Sequence, residues 1–164
     1  MTMINYKTPL TKIERWMDYL SILMIVLLFV YTARHVAALP ETIPVNFGMT
    51  GEPDKWGSRW FVWLLPVVAL FVYVILLIPD KLPHYINYPV KITEENAQRQ
   101  YLMARMFLKT LKLAITVVLL ILQWYTIKLA LGQASSFGSF FNPVLLGIVF
   151  LPVLFYFYFA LRAR

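Results

Sequence analysis

Four long runs of apolar residues alternate with shorter polar segments along the chain. Each run extends over roughly 20 residues, which is the length that a helix needs to cross the hydrocarbon core of a bilayer. The runs predict transmembrane helices at about 17–36, 59–78, 111–131 and 143–161, joined by segments at 37–58, 79–110 and 132–142. We therefore expect an all-α membrane protein, a single domain over residues 1–164 folded as a four-transmembrane-helix bundle.

Local signals mark the expected helix starts. Thr11 and Glu14 have the spacing of a reciprocal capping box before the first helix, and Ser58 is placed to cap the second. Asn142-Pro143 predicts an N-cap followed by proline at the first helical position. A cleaved signal peptide is the alternative interpretation of the first run. The long amino-terminal region and the lack of a clear Ala-x-Ala site favour an uncleaved helix.

The third helix should be longer than a bilayer is thick, and the second and fourth helices should each be kinked at a proline. Thr93-Glu94-Glu95 predicts a helix start, and no proline or glycine follows until Gly132. A helix of nearly 40 residues would be about 58 Å long, which exceeds the hydrocarbon thickness, so its first third should project beyond the bilayer or lie on its surface. Pro66 and Pro152 fall inside the second and fourth runs, and we expect each to kink its helix.

Composition and charge agree with a membrane protein and orient it. Hydrophobic residues make up 60% of the chain and the net charge is +7, with no cysteine available for disulfides or thiolate chemistry. The basic residues flank apolar runs rather than cluster on a soluble module, which excludes a nucleic-acid partner. Of the 15 Lys and Arg residues, 11 fall on the side of the termini and 4 on the other. The positive-inside rule then predicts cytoplasmic termini and extracytoplasmic segments at 37–58 and 132–142.

The segment at 37–58 has the densest turn chemistry of the chain, with three prolines and three glycines, and should form an ordered extracytoplasmic loop. Pro53-Asp54-Lys-Trp-Gly57 is typical of a turn in which the aspartate accepts backbone N–H bonds; a direct partner contact is the alternative. Trp56, Trp60 and Trp63 recur at helical spacing, as an aromatic belt or as a platform for a ligand. The residues we expect to form a binding surface here are Pro40, Glu41, Pro44, Asn46, Phe47, Gly51, Asp54, Trp56, Gly57 and Arg59.

Two motifs carry a family resemblance. The first is Leu39-Pro40, Ile43-Pro44, Phe47, Gly51, Pro53-Asp54 and Trp56-Gly57-Ser58, and the second runs from Asn87 to Tyr101. Together they resemble short, four-span members of a bacterial membrane domain family of unknown function, which also forms the amino-terminal part of SdpI-like immunity proteins. This chain has Asn46 and Arg59 where that family usually has His and Lys. The resemblance implies a bacterial cytoplasmic membrane and a role in resisting or sensing a membrane-active peptide.

Enzyme chemistry has little support in the sequence. There is no metalloprotease, nucleophile-elbow or phosphate-loop motif, and no carboxylate lies deep in a predicted span. Glu41, Glu52, Asp54 and His35 could crowd together around a metal ion, but we expect these carboxylates to cap turns or pair with cations instead. We therefore predict no catalytic residue, no metal and no cofactor.

A polar stripe follows one face of the third helix into the bilayer. Its members fall within about 80° of one another at 100° per residue, and they are Glu94, Gln98, Tyr101, Arg105, Lys109, Lys112, Thr116 and Gln123. One interpretation is a solvated face from which the lysines reach lipid phosphates. The other is a cation-lined cleft, open to the inner leaflet, for a lipid head group or a partner protein.

These features favour a non-enzymatic binding or sensing protein. Membrane lipids and an extracytoplasmic peptide or a membrane partner protein are its expected partners. A small transporter, or an accessory subunit of one, with gating at the two internal prolines, is the alternative. A membrane enzyme would depend on the loop carboxylates alone.

Overall fold

A computed structural model describes residues 9–48, 50–81, 86–136, 138 and 140–163, with only the backbone of Asp80 and Lys81. Four long helices dominate it: α1 Lys12–His35, α2 Leu64–Lys81, α3 Ala97–Ala130 and α4 Phe141–Arg162. Two strands, β1 Thr42–Phe47 and β2 Pro53–Ser58, form an antiparallel hairpin between α1 and α2. Short 3-10 helices at Val36–Ala38 and Arg59–Trp63 join this hairpin to its neighbours.

All four helices are long and apolar enough to cross a membrane. Large apolar side chains, such as Leu23 on α1, Phe71 on α2 and Leu154 on α4, lie exposed on their outer faces, where lipid would cover them. The prediction of a mostly helical protein with four helices long and apolar enough to span a membrane is thus confirmed. The segment between the first two of these helices, which we expected to be an ordered loop, pairs as a two-stranded β-hairpin.

Helix α3 lies at the centre of the bundle and contacts each of the other long helices. It runs parallel to α1, since Asp18 meets Lys109 near one end of the pair and Thr32 meets Gln123 near the other. Helix α4 runs antiparallel to α3: Ala163 carbonyl accepts from Gln100, and Phe141 packs on Tyr125. We call the end that carries the hairpin the hairpin end, and the other the opposite end.

The first third of α3 packs against α4. Gln100 Nε2 donates to the carbonyl oxygens of Ala160 (3.0 Å) and Ala163 (2.9 Å), which supplies donors at the end of α4. Ala104 and Tyr156 belong to one apolar cluster beside this contact. The structure packs this part of α3 against the last turns of α4, and the expectation that it projects beyond the bilayer or lies on its surface stays a prediction. With 34 residues, α3 is about 51 Å long.

The start of α1 agrees with the sequence prediction, and those of the other three long helices differ from it. The Thr11–Glu14 capping box is present, as predicted. Helix α3 begins one turn later than expected, because Thr93 and Asn96 bond reciprocally in a turn that leads into it. The N-cap of α4 is Phe140. The assignment of Asn142-Pro143 as N-cap and first position is therefore wrong, and both residues lie in the first turn.

The prolines of the second span also lie differently from the prediction. Chain following Ser58 first forms the 3-10 helix, and Ser58 Oγ accepts from Trp60 there, so Ser58 caps this segment and not α2 itself. Helix α2 begins at Leu64, which leaves Pro66 in its first turn, where a proline is tolerated. The proline inside α2 is Pro79 instead. Pro152 lies inside α4, as expected.

The connection before α3 returns to the bundle at its opposite end. Ile86 and Tyr88 pack against the apolar cluster of Ala104, Tyr156 and Ala160. Burial, together with the neighbouring phenols of Tyr101 and Tyr156, raises the pKa of Tyr88, so this hydroxyl stays uncharged at physiological pH.

Candidate functional site

The hairpin stands on an apolar base at the ends of α1, α2 and α3. Leu39, Ile43, Val62 and Ile127 form a buried cluster there, with exposures of 3% or less. Arg59 ties the two sides of the hairpin base together: its backbone N–H donates to Glu41 carbonyl (2.9 Å) and its guanidinium to Leu39 carbonyl (3.2 Å). The base is therefore held both by burial and by hydrogen bonds.

The turn and the cross-strand pairs give the hairpin its shape. Gly51 closes the turn with φ +78°, a conformation that glycine adopts without steric cost, and its N–H donates to Gly48 carbonyl (2.9 Å). Asp54 lies in β2 and accepts weakly from Asn46 Nδ2 (3.4 Å) across the strands. The interpretation of Pro53–Gly57 as a turn is wrong, since those residues form the second strand.

The other residues predicted to form this binding surface differ in how far they are exposed to solvent. Pro44 is buried, and a Cβ on Gly57 would lie only 3.0 Å from a Val45 methyl, so this glycine permits close packing. Pro40 and Glu41 are exposed beside the base, and Phe47 is half-buried.

Two tryptophans are among the large exposed side chains at this end. Trp56 is 60% exposed on β2, and Trp60 is 67% exposed in the 3-10 helix. Trp63 instead packs against the buried base and against Phe29, with ring centroids 6.2 Å apart. The three rings therefore do not share one helical face. We call Trp56 and Trp60 the hairpin tryptophans.

The second candidate site is a polar seam between α1 and α3. The seam begins near the opposite end of the bundle with an ion pair. Arg105 Nε lies 2.6 Å from Glu14 Oε1, and Arg105 Nη2 donates to Glu14 Oε2 at 3.2 Å. Glu14 also caps α1 through Thr11 N–H at 2.7 Å. This carboxylate is 2% exposed, so its negative charge is compensated on both oxygens.

One turn further along α1, a single carboxylate serves two lysines. Asp18 Oδ2 lies 2.6 Å from Lys109 Nζ, and Oδ1 lies 3.0 Å from Lys112 Nζ. Both lysines are 1% exposed, and Lys112 Nζ also lies 5.2 Å from the centroid of the Tyr73 ring on α2. Buried charges are tolerated only when they are paired, so Asp18, Lys109 and Lys112 form one electrostatic unit. We call these three residues the ion triad.

At the hairpin end, the seam ends at Gln123, whose side chain donates to a backbone carbonyl before α2. Gln123 Nε2 donates to Thr32 Oγ1 (2.8 Å) and to Val62 carbonyl (2.9 Å), and Gln123 is 1% exposed. Val62 lies in the 3-10 helix just before α2. In α-helical geometry its carbonyl would accept from the N–H of residue 66, which Pro66 lacks, and Gln123 supplies this carbonyl with a donor from a neighbouring helix. This contact joins the start of the second span to both α1 and α3.

The predicted stripe is brought together in part. Arg105, Lys109, Lys112, Thr116 and Gln123 all face into the bundle, and Thr116 Oγ1 bonds back to Lys112 carbonyl at 3.1 Å. Gln98 is exposed, and Glu94 lies in the turn before α3. The basic side chains do not line an open cleft, because α1 supplies acidic partners to all three.

Sequence reasoning missed the acidic side of the seam. Asp18 was not considered, and Glu14 was considered only as part of a cap. Their spacing of four residues places both on one face of α1, and Arg105 and Lys109 have the same spacing on α3. These two complementary pairs were the available signal. Gln100, which bonds to the end of α4, was missed as well.

The residues that the structure describes contain no group of three His, Asp or Glu side chains placed to hold a metal ion. His35 Nδ1 lies 2.8 Å from Tyr31 carbonyl, which only accepts, so this nitrogen carries the proton of the hydrogen bond. Its ring packs on Tyr31, with centroids 4.3 Å apart.

Comparison with known proteins adds to this geometry at the hairpin end. Residues 23–70 match DUF1648, a domain of unknown function. The DUF1648 segment covers most of α1, the whole hairpin and the start of α2. It therefore includes Thr32, Val62 and the hairpin tryptophans, but neither Glu14 nor Asp18.

One relative is an uncharacterized protein of Archaeoglobus fulgidus, which is 36% identical over 122 residues. The match covers 66% of this chain and 66% of that protein, just under two thirds of its length. No solved structure matches the chain. The four candidate spans, together with the similarity of residues 23–70 to a domain of unknown function, indicate a multi-pass membrane protein, and neither match carries an SdpI-like association.

Proposed function

We propose that this chain is a non-enzymatic binding or sensing protein of a cytoplasmic membrane, whose hairpin meets an extracytoplasmic peptide or protein. The observation that carries the proposal is the pair of hairpin tryptophans, held exposed on a rigidly anchored hairpin. Tryptophan is enriched among residues that dominate binding energy, since it buries a large area with few rotatable bonds. The resemblance to SdpI-like proteins adds a membrane-active peptide as the class of ligand.

Anchoring of the hairpin supports a sensing role in particular. Val62 belongs both to the buried hairpin base and to the contact with Gln123. A ligand that moved the base would therefore disturb the seam between α1 and α3. The transporter alternative has less support, because the polar groups along the described seam bond to one another rather than line a water-filled path.

The proposal requires the hairpin to face outward, which cysteine labelling tests directly. The chain has no native cysteine, so Thr50→Cys in the turn and Glu94→Cys before α3 each introduce one exposed thiol. We expect a membrane-impermeant maleimide to label Thr50→Cys in intact cells, and Glu94→Cys only after permeabilisation. The opposite pattern would place the hairpin in the cytoplasm and remove the proposed ligand class.

The binding role is tested by removing the hairpin tryptophans. We expect cells that express the chain to survive at least one of a panel of amphipathic cationic and neutral peptides better than cells without it. Trp56→Ser with Trp60→Ser should abolish this protection and weaken binding of the labelled peptide to nanodisc-embedded protein more than tenfold, because truncating aromatic anchors costs about 2 kcal/mol or more.

Trp16→Ser is the matched control, since Trp16 is 65% exposed at the opposite end of the bundle. It should retain both protection and binding. Protection that survives the double replacement, or that fails equally in the control, would contradict a role for the hairpin surface. Failure of the parent chain to bind or protect against any peptide in the panel would count against the peptide class itself.

A further inference from the structure

A cavity and an apolar groove lie along the contact between α3 and α4, toward the opposite end of the bundle. A cavity of about 610 Å³ lies where the chain enters α3, and its wall includes Lys91, Glu95, Arg99 and Ala163. A groove of about 440 Å³ lies between α3 and α4 and is lined almost wholly by apolar side chains, among them Met103, Leu151 and Phe159.

The cavity and the groove follow each other along the same two helices. Arg99 lines the cavity and Met103, four residues later on the same face of α3, lines the groove. On α4 the order is reversed, as antiparallel packing requires: Ala163 lines the cavity and Phe159 lines the groove. A recess lined by charged and apolar groups therefore lies next to an apolar groove along the same pair of candidate membrane-spanning helices.

The cations on the cavity wall differ from those of the seam between α1 and α3. Lys91 and Arg99 are exposed and form no ion pair among the described residues, whereas Arg105, Lys109 and Lys112 are ion-paired with Glu14 and Asp18 of α1. Glu95 is the acidic residue on the same wall, so the two cations exceed it by one. Excess positive charge at the membrane end of an apolar groove complements a molecule with an anionic head and a hydrocarbon tail.

We propose that the cavity and the groove together bind one anionic glycerophospholipid of the adjacent leaflet. Lys91 and Arg99 contact its phosphate in the cavity, and one acyl chain lies in the groove between α3 and α4. This site is separate from the hairpin and does not depend on the proposed peptide ligand. It also differs from the cation cleft expected from the sequence, since the lysines and arginine of that stripe are paired inside the bundle.

The test is native mass spectrometry of detergent-purified protein titrated with 1-palmitoyl-2-oleoyl phosphatidylglycerol or the matching phosphatidylcholine. We expect the parent chain to retain phosphatidylglycerol preferentially. Lys91→Gln with Arg99→Gln should weaken that retention about ten- to thirtyfold, since each basic residue near an anionic membrane surface contributes about one kcal/mol. The control is Lys12→Gln with Arg15→Gln, which removes two exposed cations from the start of α1, at the same end of the bundle as the cavity. This control should leave retention of phosphatidylglycerol unchanged.

A second pair of variants tests the groove without altering charge. Leu151→Trp fills the groove and should lower retention of both lipids, while Leu154→Trp, on the lipid-exposed face of α4 outside the groove, should not. If the cavity double variant fails to fold, this pair decides the matter alone. Equal retention of the two lipids by the parent, equal loss in either control, or unchanged retention in Leu151→Trp would each overturn the proposal.

Discussion

Replacing Asp18 with asparagine is expected to lower the free energy of unfolding by about 3–5 kcal/mol, the largest single effect in this protein. Asparagine keeps the shape of the side chain but removes its charge. Lys109 and Lys112 would then remain 1% exposed with no carboxylate between them. Two buried ammonium groups near each other repel, and each must either lose its proton or draw water into the bundle.

Denaturant unfolding in detergent micelles, followed by tryptophan fluorescence, measures this change. Glu95→Gln is the control, because it neutralises an exposed carboxylate near the same end and should change stability by less than about 0.5 kcal/mol. Replacing the ion triad together, by Asp18→Leu, Lys109→Met and Lys112→Met, should recover most of the loss, since apolar residues need no counterion. An asparagine variant as stable as the parent would mean that the lysines reach water.

Replacing Gln123 with leucine is expected to lower the free energy of unfolding by about 1–2 kcal/mol. Leucine fits an apolar helix interface but donates no hydrogen bond. Val62 carbonyl, whose α-helical donor would be the N–H that Pro66 lacks, would then lose the hydrogen bond from Gln123. The hairpin base should loosen at the same time, because Val62 is part of it.

A double-mutant cycle with Pro66→Ala isolates this mechanism. Alanine restores an N–H at position 66 that can donate to Val62 carbonyl, so Gln123→Leu should cost less in the alanine background than in the parent. Thermal unfolding of the four variants in micelles gives the coupling energy. Additive effects in the cycle would show that Gln123 acts through Thr32 alone. Trp124→Leu serves as the control for substitutions in this turn of α3. Trp124 follows Gln123 in the chain and is 43% exposed.

These two contacts suggest how the hairpin and the bundle depend on each other. The ion triad holds α1 against α3 near the opposite end, and Gln123 holds them together at the hairpin end. Between these points, α1 and α3 run parallel with small or apolar residues such as Ile25 and Leu28 buried.

Several features of this protein were determined by sequence alone. Apolar runs of membrane length define four spans whatever their packing, because backbone polar groups in hydrocarbon must bond within a helix. The Thr11–Glu14 cap is equally local, since both partners lie within one turn. The hydrophilic face of α3 was visible as a stripe for the same reason: helical periodicity alone places its members together.

Tertiary structure decided what those residues contact. The stripe became the ion triad and the Gln123 contact only because α1 runs parallel to α3, with Asp18 level with Lys109 and Thr32 level with Gln123. The segment at 42–58 became a hairpin because its strands pair with each other and Ile43 finds a buried base, neither of which follows from its prolines and glycines. Pro66 is tolerated because it lies in the first turn of α2, and Gln123 from another helix donates to the Val62 carbonyl, to which position 66 has no N–H to donate. Local chemistry thus gave the elements, and the long-range pairing of charge and hydrogen-bonding capacity, which no local pattern encodes, assigned their partners.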